Sequence, residues 1–242
     1  MFYAEHEKNG VKMHLGRKFT EIKGSGDQAQ SVVLDDGTEI EADLILVGTG
    51  VLPATKFLEG SGIKLDQWGG VLCDPFLQTS VKDVYAAGDV ASYPYWSTGR
   101  RQRIEHYMTS MDQGSYSAFN MLGKMVPFGN VPFYWTRNYN KTVQYVGYAA
   151  EYDEVFVQGN VMENKFVAFY IKDDKILAVA GQQMAGNVLT YMEAMHQNQM
   201  PSASDIKSGK ETAETVRARL KQNKGAGRCR RENCCHKKTI AQ

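Results

Sequence analysis

Cysteine is scarce in the body of this chain. Of the 242 residues only four are cysteine, and Cys73 is the only one that precedes residue 221. A single cysteine cannot build the disulfide framework on which small secreted domains depend, so the pattern favours a reducing compartment. We therefore expect an intracellular protein, either cytoplasmic or mitochondrial.

Long apolar runs and leader-like segments are also missing. No run of 18 apolar residues occurs in the sequence, and a membrane-spanning helix needs about that length. The first residues show no basic stretch followed by an apolar run, which is the pattern of a secretory signal. The sequence predicts no transmembrane segment.

The glycine-rich fingerprint of dinucleotide-binding folds is absent, since G-x-G-x-x-G occurs nowhere in the chain. In such folds the three glycines bring the backbone close to a pyrophosphate and to the helix that follows. The sequence therefore contains no recognisable cradle for the pyrophosphate of a dinucleotide.

Charge is distributed unevenly along the chain. The formal net charge is +1, but residues 221–242 carry +6, which leaves −5 for the first 220 residues. We expect residues 221–242 to be a disordered basic tail, and the body gives no strong nucleic-acid signal. The tail's cysteines follow a C-x4-C-C-H pattern without a C-x2-C pair, so no metal site is predicted.

The most informative stretch is TSVKDVYAAGDVA, residues 79–91. Residues 84–87 form a short apolar run that is typical of a buried parallel strand, and Gly88 and Asp89 follow at its carboxyl end. Open α/β sheets bind ligands at that end of their strands. A bare Gly-Asp pair there is more often only a turn, but the long form is far more specific.

This long form resembles the second flavin-binding motif of flavoprotein reductases with two dinucleotide-binding domains. The resemblance implies that Asp89 holds the ribityl chain of FAD and that Gly88 lets the cofactor approach the backbone. It is closest to the apoptosis-inducing-factor-like, ferredoxin-reductase-like branch of the pyridine nucleotide-disulphide oxidoreductase superfamily.

Upstream of this motif, the sequence predicts a helix end and a short strand around Gly10, and a hairpin at an Asp-Gly turn near residue 36. Residues 42–47 predict a second buried strand, which ends in Gly48-Thr49-Gly50. The glycine pair alone indicates a tight turn. The resemblance implies instead that Gly48 and Gly50 lie near the flavin.

Downstream of the motif, residues 92–103 read as a polar, aromatic loop, and a helix follows Glu105 and His106. The resemblance implies that this helix N-terminus points at the flavin's pyrimidine edge, where a helix dipole stabilises negative charge. It also implies that Glu105 and His106 line the flavin and nicotinamide pocket. A Glu-His pair at a helix start has, by itself, no such specificity.

Beyond residue 127, turn signals predict strands at residues 143–149, 154–158, 165–172 and 176–181, and helices at 187–197 and 211–220. Residues 166–171 are apolar at both odd- and even-numbered positions, which predicts a strand that is buried on both of its faces. The segment VPFYWT resembles the start of the family's C-terminal interface domain, which implies that Trp135 stacks near the flavin. A core aromatic is the alternative for Trp135.

These readings together predict α/β and α+β folds. Partial FAD- and NAD(P)-binding Rossmann-like domains precede an α+β C-terminal domain. We expect the end of an NAD(P)-binding domain at residues 1–42, half of an FAD-binding domain at 43–126, the interface domain at 127–220 and the tail at 221–242.

The resemblance implies an FAD-dependent NAD(P)H oxidoreductase. Hydride would pass from NAD(P)H to FAD, and electrons would then pass to a protein acceptor, such as an iron-sulphur protein, or to a quinone. No catalytic side chain is needed because the cofactor performs the chemistry. The sequence leaves open whether the protein forms a homodimer.

Because both G-x-G-x-x-G regions of the family are missing, we expect the sequence to correspond to the C-terminal portion of a longer reductase. The alternative is a non-catalytic truncated isoform that acts as a partner-binding or apoptosis-related interaction module. In-frame sequence upstream of Met1 that contains the fingerprint would favour the enzyme.

Overall fold

The computed structural model describes residues 2–222, which form two compact units, one before and one after the Leu52–Pro53 bond. The predicted basic tail lies outside the described residues, apart from Lys221 and Gln222, which end the last helix.

The first unit contains one helix and a three-stranded antiparallel sheet of order β1-β2-β3. Its elements are α1 (Phe2–Lys8), β1 (Phe19–Ser25), β2 (Gln28–Leu34) and β3 (Glu39–Glu41). The predicted hairpin is confirmed, because β2 and β3 pair across the turn at Asp36 and Gly37. The short strand predicted after Gly10 is wrong, and β1 was not predicted. Since every residue of β1 is exposed, its sequence carries no hydrophobic alternation.

The strand predicted at residues 42–47 does not form. Residues 43–52 join no strand among the described residues, and the side chains of Leu44 and Leu46 are 85% and 94% exposed. An apolar run becomes a buried parallel strand only where strands flank it and helices cover it. The first unit supplies neither to this segment.

The second unit begins with short elements that surround the TSVKDVYAAGDVA segment. They are a 3₁₀ turn (Lys56–Leu58), β4 (Val71–Leu72), β5 (Ala91–Pro94), β6 (Arg101–Gln102) and α2 (Tyr107–Met121). Strand β5 pairs in parallel with β4 and antiparallel with β6. The segment predicted as a loop at residues 92–103 therefore has strand residues near both of its ends, and these pair with each other as a hairpin. The helix predicted after His106 is confirmed.

Residues 84–87 are not a strand, contrary to the sequence prediction. Tyr85 forms one isolated bridge with Gln78, and Val84 is exposed. No described strand lies alongside this run to extend the pairing. Backbone hydrogen bonds to residues 77–81 hold it instead.

The C-terminal half of the second unit is an antiparallel sheet of five strands in the order β7-β8-β11-β10-β9. Its strands are β7 (Phe133–Asn138), β8 (Lys141–Gly147), β9 (Glu154–Asn160), β10 (Lys165–Lys172) and β11 (Lys175–Gln182). Strands β10 and β11 are joined by Asp173 and Asp174, both with positive φ, as a two-residue type I′ hairpin requires. The strands predicted here are confirmed within a few residues.

Helices cover one face of this sheet and form its core. They are α3 (Ala185–His196), α4 (Ala203–Lys207) and α5 (Ala213–Gln222). Phe169 of β10 is fully buried against Tyr191 of α3, with ring centroids 5.1 Å apart. At Gly181 an added Cβ would lie 2.6 Å from Val188, so glycine allows α3 to pack closely on β11. The mixed α and β class and the two-sided burial of residues 166–171 are confirmed; α4 was not predicted.

Candidate functional site

Gly88 and Asp89 form a turn just before β5. Gly88 has φ +88°, in the left-handed region that favours glycine. Its N–H donates to the Oε1 of Gln113 at 2.7 Å. The chain direction changes here by a backbone conformation that most other residues adopt only with strain.

The Asp89 carboxylate is exposed but held on one side. Its Oδ1 accepts a hydrogen bond of 3.0 Å from the Ser110 hydroxyl, and its backbone carbonyl accepts one of 3.0 Å from Arg103. Its Oδ2 accepts no hydrogen bond from the part of the chain that the structure describes. One carboxylate oxygen is therefore oriented while the other is available to a ligand hydroxyl.

Helix α2 presents a polar face to the interior, which is unusual for a helix packed on a core. Four of its polar side chains are buried, namely Thr109, Gln113, Ser117 and Asn120. The Asn120 amide donates to Phe76 and Val126 carbonyls and accepts from the Val126 N–H. The helix thus fastens Phe76 before it and Val126 after it through hydrogen bonds between a side chain and the backbone.

His106 is the N-cap of α2, and its side chain makes no capping hydrogen bond. Its Nδ1 is buried without a partner among residues 2–222. Burial lowers the pKa of His106, and the nearby Asp89 carboxylate partly opposes that effect. At neutral pH the ring is therefore uncharged, with one donor and one acceptor nitrogen.

An aromatic cluster surrounds this helix start. The His106 ring lies 4.6 Å from that of Tyr134 and 6.1 Å from that of Trp135, measured between centroids. Trp135 also contacts Tyr107 edge-on and keeps 46% of its surface exposed. It is thus not a buried core aromatic, and its exposed surface adjoins the α2 N-terminus.

Glu105 forms an ion pair with Arg103 at 2.5 Å. Both residues line an open depression of about 480 Å³ whose other walls include Tyr134, Tyr145 and Tyr148. Burial raises the pKa of each of these tyrosines. The depression therefore offers neutral aromatic rings beside one carboxylate and one guanidinium.

The structure brings five of the seven predicted site residues into one part of the second unit: Gly88, Asp89, Glu105, His106 and Trp135. Gly48 and Gly50 belong to the first unit, where both are exposed and Gly50 has φ +91°. An added Cβ on either glycine would meet nothing within 4 Å. Their proposed place near the flavin stays a prediction.

Sequence reasoning missed Ser110, Gln113 and Arg103. Ser110 and Gln113 follow His106 by four and seven residues, so all three lie on one face of α2. A polar stripe at helical spacing directly after a candidate site residue was the available signal. The contact of Arg103 with the Asp89 carbonyl depends on the β5–β6 hairpin and had no such signal.

This geometry fits part of a flavin dinucleotide. The free Asp89 oxygen suits a ribityl hydroxyl, and the α2 N-terminus, which no side chain caps, suits the electron-rich edge of the ring. The unpartnered Nδ1 of His106 is a further buried polar atom at this point. The sequence contains no G-x-G-x-x-G, the glycine-rich motif that holds a pyrophosphate.

Cys73 does not contribute to this chemistry. It is buried, and burial raises its pKa to about 11, so the thiol stays protonated at neutral pH. Within residues 2–222, His, Cys, Asp and Glu side chains form no group of three that could hold a metal. None of the helices described there has both the length and the apolar character needed to cross a bilayer.

Two family models match the chain. Residues 1–114 match the family described as pyridine nucleotide-disulphide oxidoreductase, and residues 133–212 match the family described as reductase C-terminal. The chain is 39% identical over 175 residues to apoptosis-inducing factor 3 of Homo sapiens, covering 72% of this chain and 29% of that protein. It is 29% identical over 181 residues to putidaredoxin reductase CamA of Pseudomonas putida, covering 74% of this chain and 42% of that protein. The chain therefore spans less than half the length of these relatives.

Solved structures show the same similarity. A ferredoxin reductase from Rhodopseudomonas palustris superposes with a TM-score of 0.77 at 28% identity, covering 84% of this chain and 50% of the other. The reductase in a covalent putidaredoxin reductase–putidaredoxin complex superposes with a TM-score of 0.81 at 24% identity, covering 91% and 53%. The second likeness supports the fold alone.

Proposed function

The chain belongs to the pyridine nucleotide-disulphide oxidoreductase superfamily, in its apoptosis-inducing-factor-like and ferredoxin-reductase-like branch, and on that premise we propose that it forms part of an FAD-dependent NAD(P)H oxidoreductase. The observation that carries this proposal is the Gly88–Asp89 turn, with its oriented carboxylate beside the uncapped start of α2. Members of this superfamily use FAD and a pyridine nucleotide.

When bound, FAD supplies the redox chemistry by accepting a hydride from NAD(P)H and passing its electrons on to an acceptor. Asp89 would hold a ribityl hydroxyl, with Ser110 orienting the carboxylate. The first-turn N–H groups of α2 and the neutral His106 ring would stabilise negative charge on the flavin's pyrimidine edge. Trp135 would pack against the flavin and exclude water, and no side chain would need to act as an acid or base.

Glu105 is proposed to meet the nicotinamide, because it lines the open depression beside the same helix start. The proposed acceptor is an iron-sulphur protein, and the similarity to ferredoxin reductases supports it. A quinone acceptor, a homodimer and a cytoplasmic or mitochondrial location stay predictions.

The test uses a chain in which glycine-rich nucleotide-binding segments precede these residues. A hydrogen bond to a charged group contributes roughly 1.5–3 kcal/mol. Asp89→Ala should therefore weaken FAD binding about tenfold to a hundredfold, since 1.4 kcal/mol is a factor of ten. Glu105→Ala should instead raise the KM for NAD(P)H while flavin content stays near normal. Flavin occupancy and NAD(P)H:ferricyanide kinetics measure both effects.

Glu59→Ala is the control, because Glu59 is exposed and its carboxylate forms no ion pair with the residues that the structure describes. Circular dichroism should show the same fold in all three variants. Full flavin content together with unchanged kinetics in Asp89→Ala would remove the central motif from this proposal.

A non-catalytic interaction module is the second candidate. The observation in its favour is that residues 133–222 complete their own sheet and core without any flavin-binding segment. We expect the 242-residue chain to purify with far less than one FAD per chain, because it carries no pyrophosphate cradle. The ratio of flavin to protein, measured from the absorbance at 450 nm and the protein concentration, tests this expectation. A yellow protein with about one FAD per chain would contradict this candidate.

A further inference from the structure

Gln113 is a fully buried amide that the proposed function does not use. Its side chain is 0% exposed, and its Oε1 accepts the Gly88 N–H at 2.7 Å. No regular strand pairing engages residues 84–88, so the Gly88 N–H would have no acceptor here without Gln113. An unpaired backbone N–H at this position would cost free energy, so the hydrogen bond to Gln113 stabilises the conformation of the turn.

The helix that carries Gln113 is itself fixed independently of the turn. Asn120 fastens the C-terminal end of α2 to the loop residues Phe76 and Val126. The Gln113 amide is therefore a fixed point against which the flexible glycine is set. Ser110, one turn earlier on the same face, then meets the Asp89 carboxylate.

We infer that Gln113 is a positioning residue that locks Gly88 in its left-handed conformation and thereby sets the direction of the Asp89 carboxylate. The role toward FAD rests on the proposed function; the lock on the turn does not. Within the Gly88–Asp89 turn, Gln113 hydrogen-bonds to the Gly88 backbone, so it acts on a ligand through Asp89.

The test measures amide hydrogen exchange by NMR on the 242-residue chain without flavin. Gln113→Met keeps an unbranched side chain of similar size and removes the acceptor. The exchange of the Gly88 amide should become about 5- to 30-fold faster, the factor that one lost hydrogen bond of typical strength gives. The amide of Phe169, in the central strand β10, is the reference and should not change.

Two further variants make the result specific. Ser117→Ala is the matched control, because Ser117 is buried on the same helix face and its hydroxyl has no partner within residues 2–222. It should leave Gly88 exchange unchanged. Gln113→Glu retains a carboxyl oxygen at the same reach and should restore most of the protection. Unchanged Gly88 exchange in Gln113→Met, or equal acceleration in Ser117→Ala, would overturn the inference.

A second readout separates this inference from the proposed function. Riboflavin carries the ribityl chain and ring without the pyrophosphate, and its titration against the same variants reports on Asp89. Gln113→Met and Asp89→Ala should both weaken riboflavin binding, with Asp89→Ala the larger effect. If Asp89→Ala leaves riboflavin binding unchanged while Gln113→Met accelerates Gly88 exchange, the lock stands and the proposed function fails.

Discussion

Residues 166–171 and residues 84–87 are both short apolar runs in the second unit, and different forces hold them in place. The first run lies in β10, between two antiparallel neighbours, and is buried against α3. The second makes one isolated bridge, and its backbone hydrogen bonds run to residues 77–81 just before it. The Tyr85 hydroxyl donates to the Asn120 carbonyl of α2, and Gln113 and Ser110 hold the Gly88–Asp89 turn that follows the run.

This difference shows that apolar sequence creates a strand only where backbone partners exist. In β10 the partners are adjacent in the chain, since short turns connect β9, β10 and β11. Around residues 84–87 the described residues provide no neighbouring strand of comparable length, and the backbone pairs only over a short distance with residues 77–81. Side chains of α2 hold the Gly88–Asp89 turn that follows. A segment held by a few polar contacts keeps its ligand-facing groups exposed, whereas a central strand does not.

The largest effect should come from removing the core contact of β10. Phe169→Ala deletes a fully buried ring that packs edge-on against Tyr191, and we expect a loss of about 3–5 kcal/mol in the free energy of unfolding. Phe57→Ala is the matched control, because Phe57 is 81% exposed and should cost less than about 0.5 kcal/mol. Urea denaturation followed by tryptophan fluorescence compares them, and equal midpoints would contradict the assigned core.

A smaller loss should follow from cutting the polar contacts between α2 and the loop residues Phe76 and Val126. Asn120→Ala removes three hydrogen bonds and leaves partly buried carbonyl and N–H groups unpaired. We expect a loss of about 2–3 kcal/mol. Ser115→Ala, on the exposed face of α2, is the control. The same urea titration serves, and a cost for Asn120→Ala no larger than that of the control would show that α2 does not fasten this loop.

The smallest effect concerns exposed ion pairs that link the β5–β6 hairpin with β10. Glu151 pairs with Arg100 of the β5–β6 hairpin and with Lys172 of β10, and these hydrogen bonds and charges lower its pKa to about 2 from an ordinary 4.5. A lowered folded-state pKa gives stability that is present above pH 4.5 and is lost as the pH falls toward 2. Since water screens the pair, the contribution is small.

Glu151→Gln should therefore lower Tm slightly at pH 7, and the difference from the unmodified chain should vanish near pH 2. Glu59→Gln is the control, with an exposed carboxylate that no described cation pairs. Differential scanning calorimetry between pH 2 and pH 7 gives the two curves. A Tm difference that grows as the pH falls would contradict the predicted sign.

Much of the C-terminal half could be predicted from the sequence. Each strand there is bounded by turn residues such as Asp173 and Asp174, and each pairs with a neighbour in the chain, so local pattern and tertiary contact agree. The strands expected at residues 42–47 and 84–87 could not be predicted in this way, because parallel pairing depends on partners distant in the chain.

The candidate site likewise has residues that could be predicted from the sequence and contacts that could not. Gly88 and Asp89 could be named because a strongly patterned motif contains them, and Glu105 and His106 because the segment around them resembles the corresponding segment of the family. The contacts that orient Asp89 come from Ser110, Gln113 and Arg103, which are 14 to 25 residues away. No spacing rule connects a glycine turn with an amide on a later helix.

The sequence by itself determined four strands of the C-terminal sheet, through turn residues and apolar pattern, while the superfamily and the flavin-type motif followed from the resemblance of residues 79–91 to a known motif. Only the tertiary structure decided that residues 84–87 pair with the preceding residues 77–81 rather than within a sheet, and that His106, Trp135 and Asp89 lie in one region. Such outcomes depend on which distant groups satisfy each buried backbone polar atom, and a local pattern contains no information about those partners.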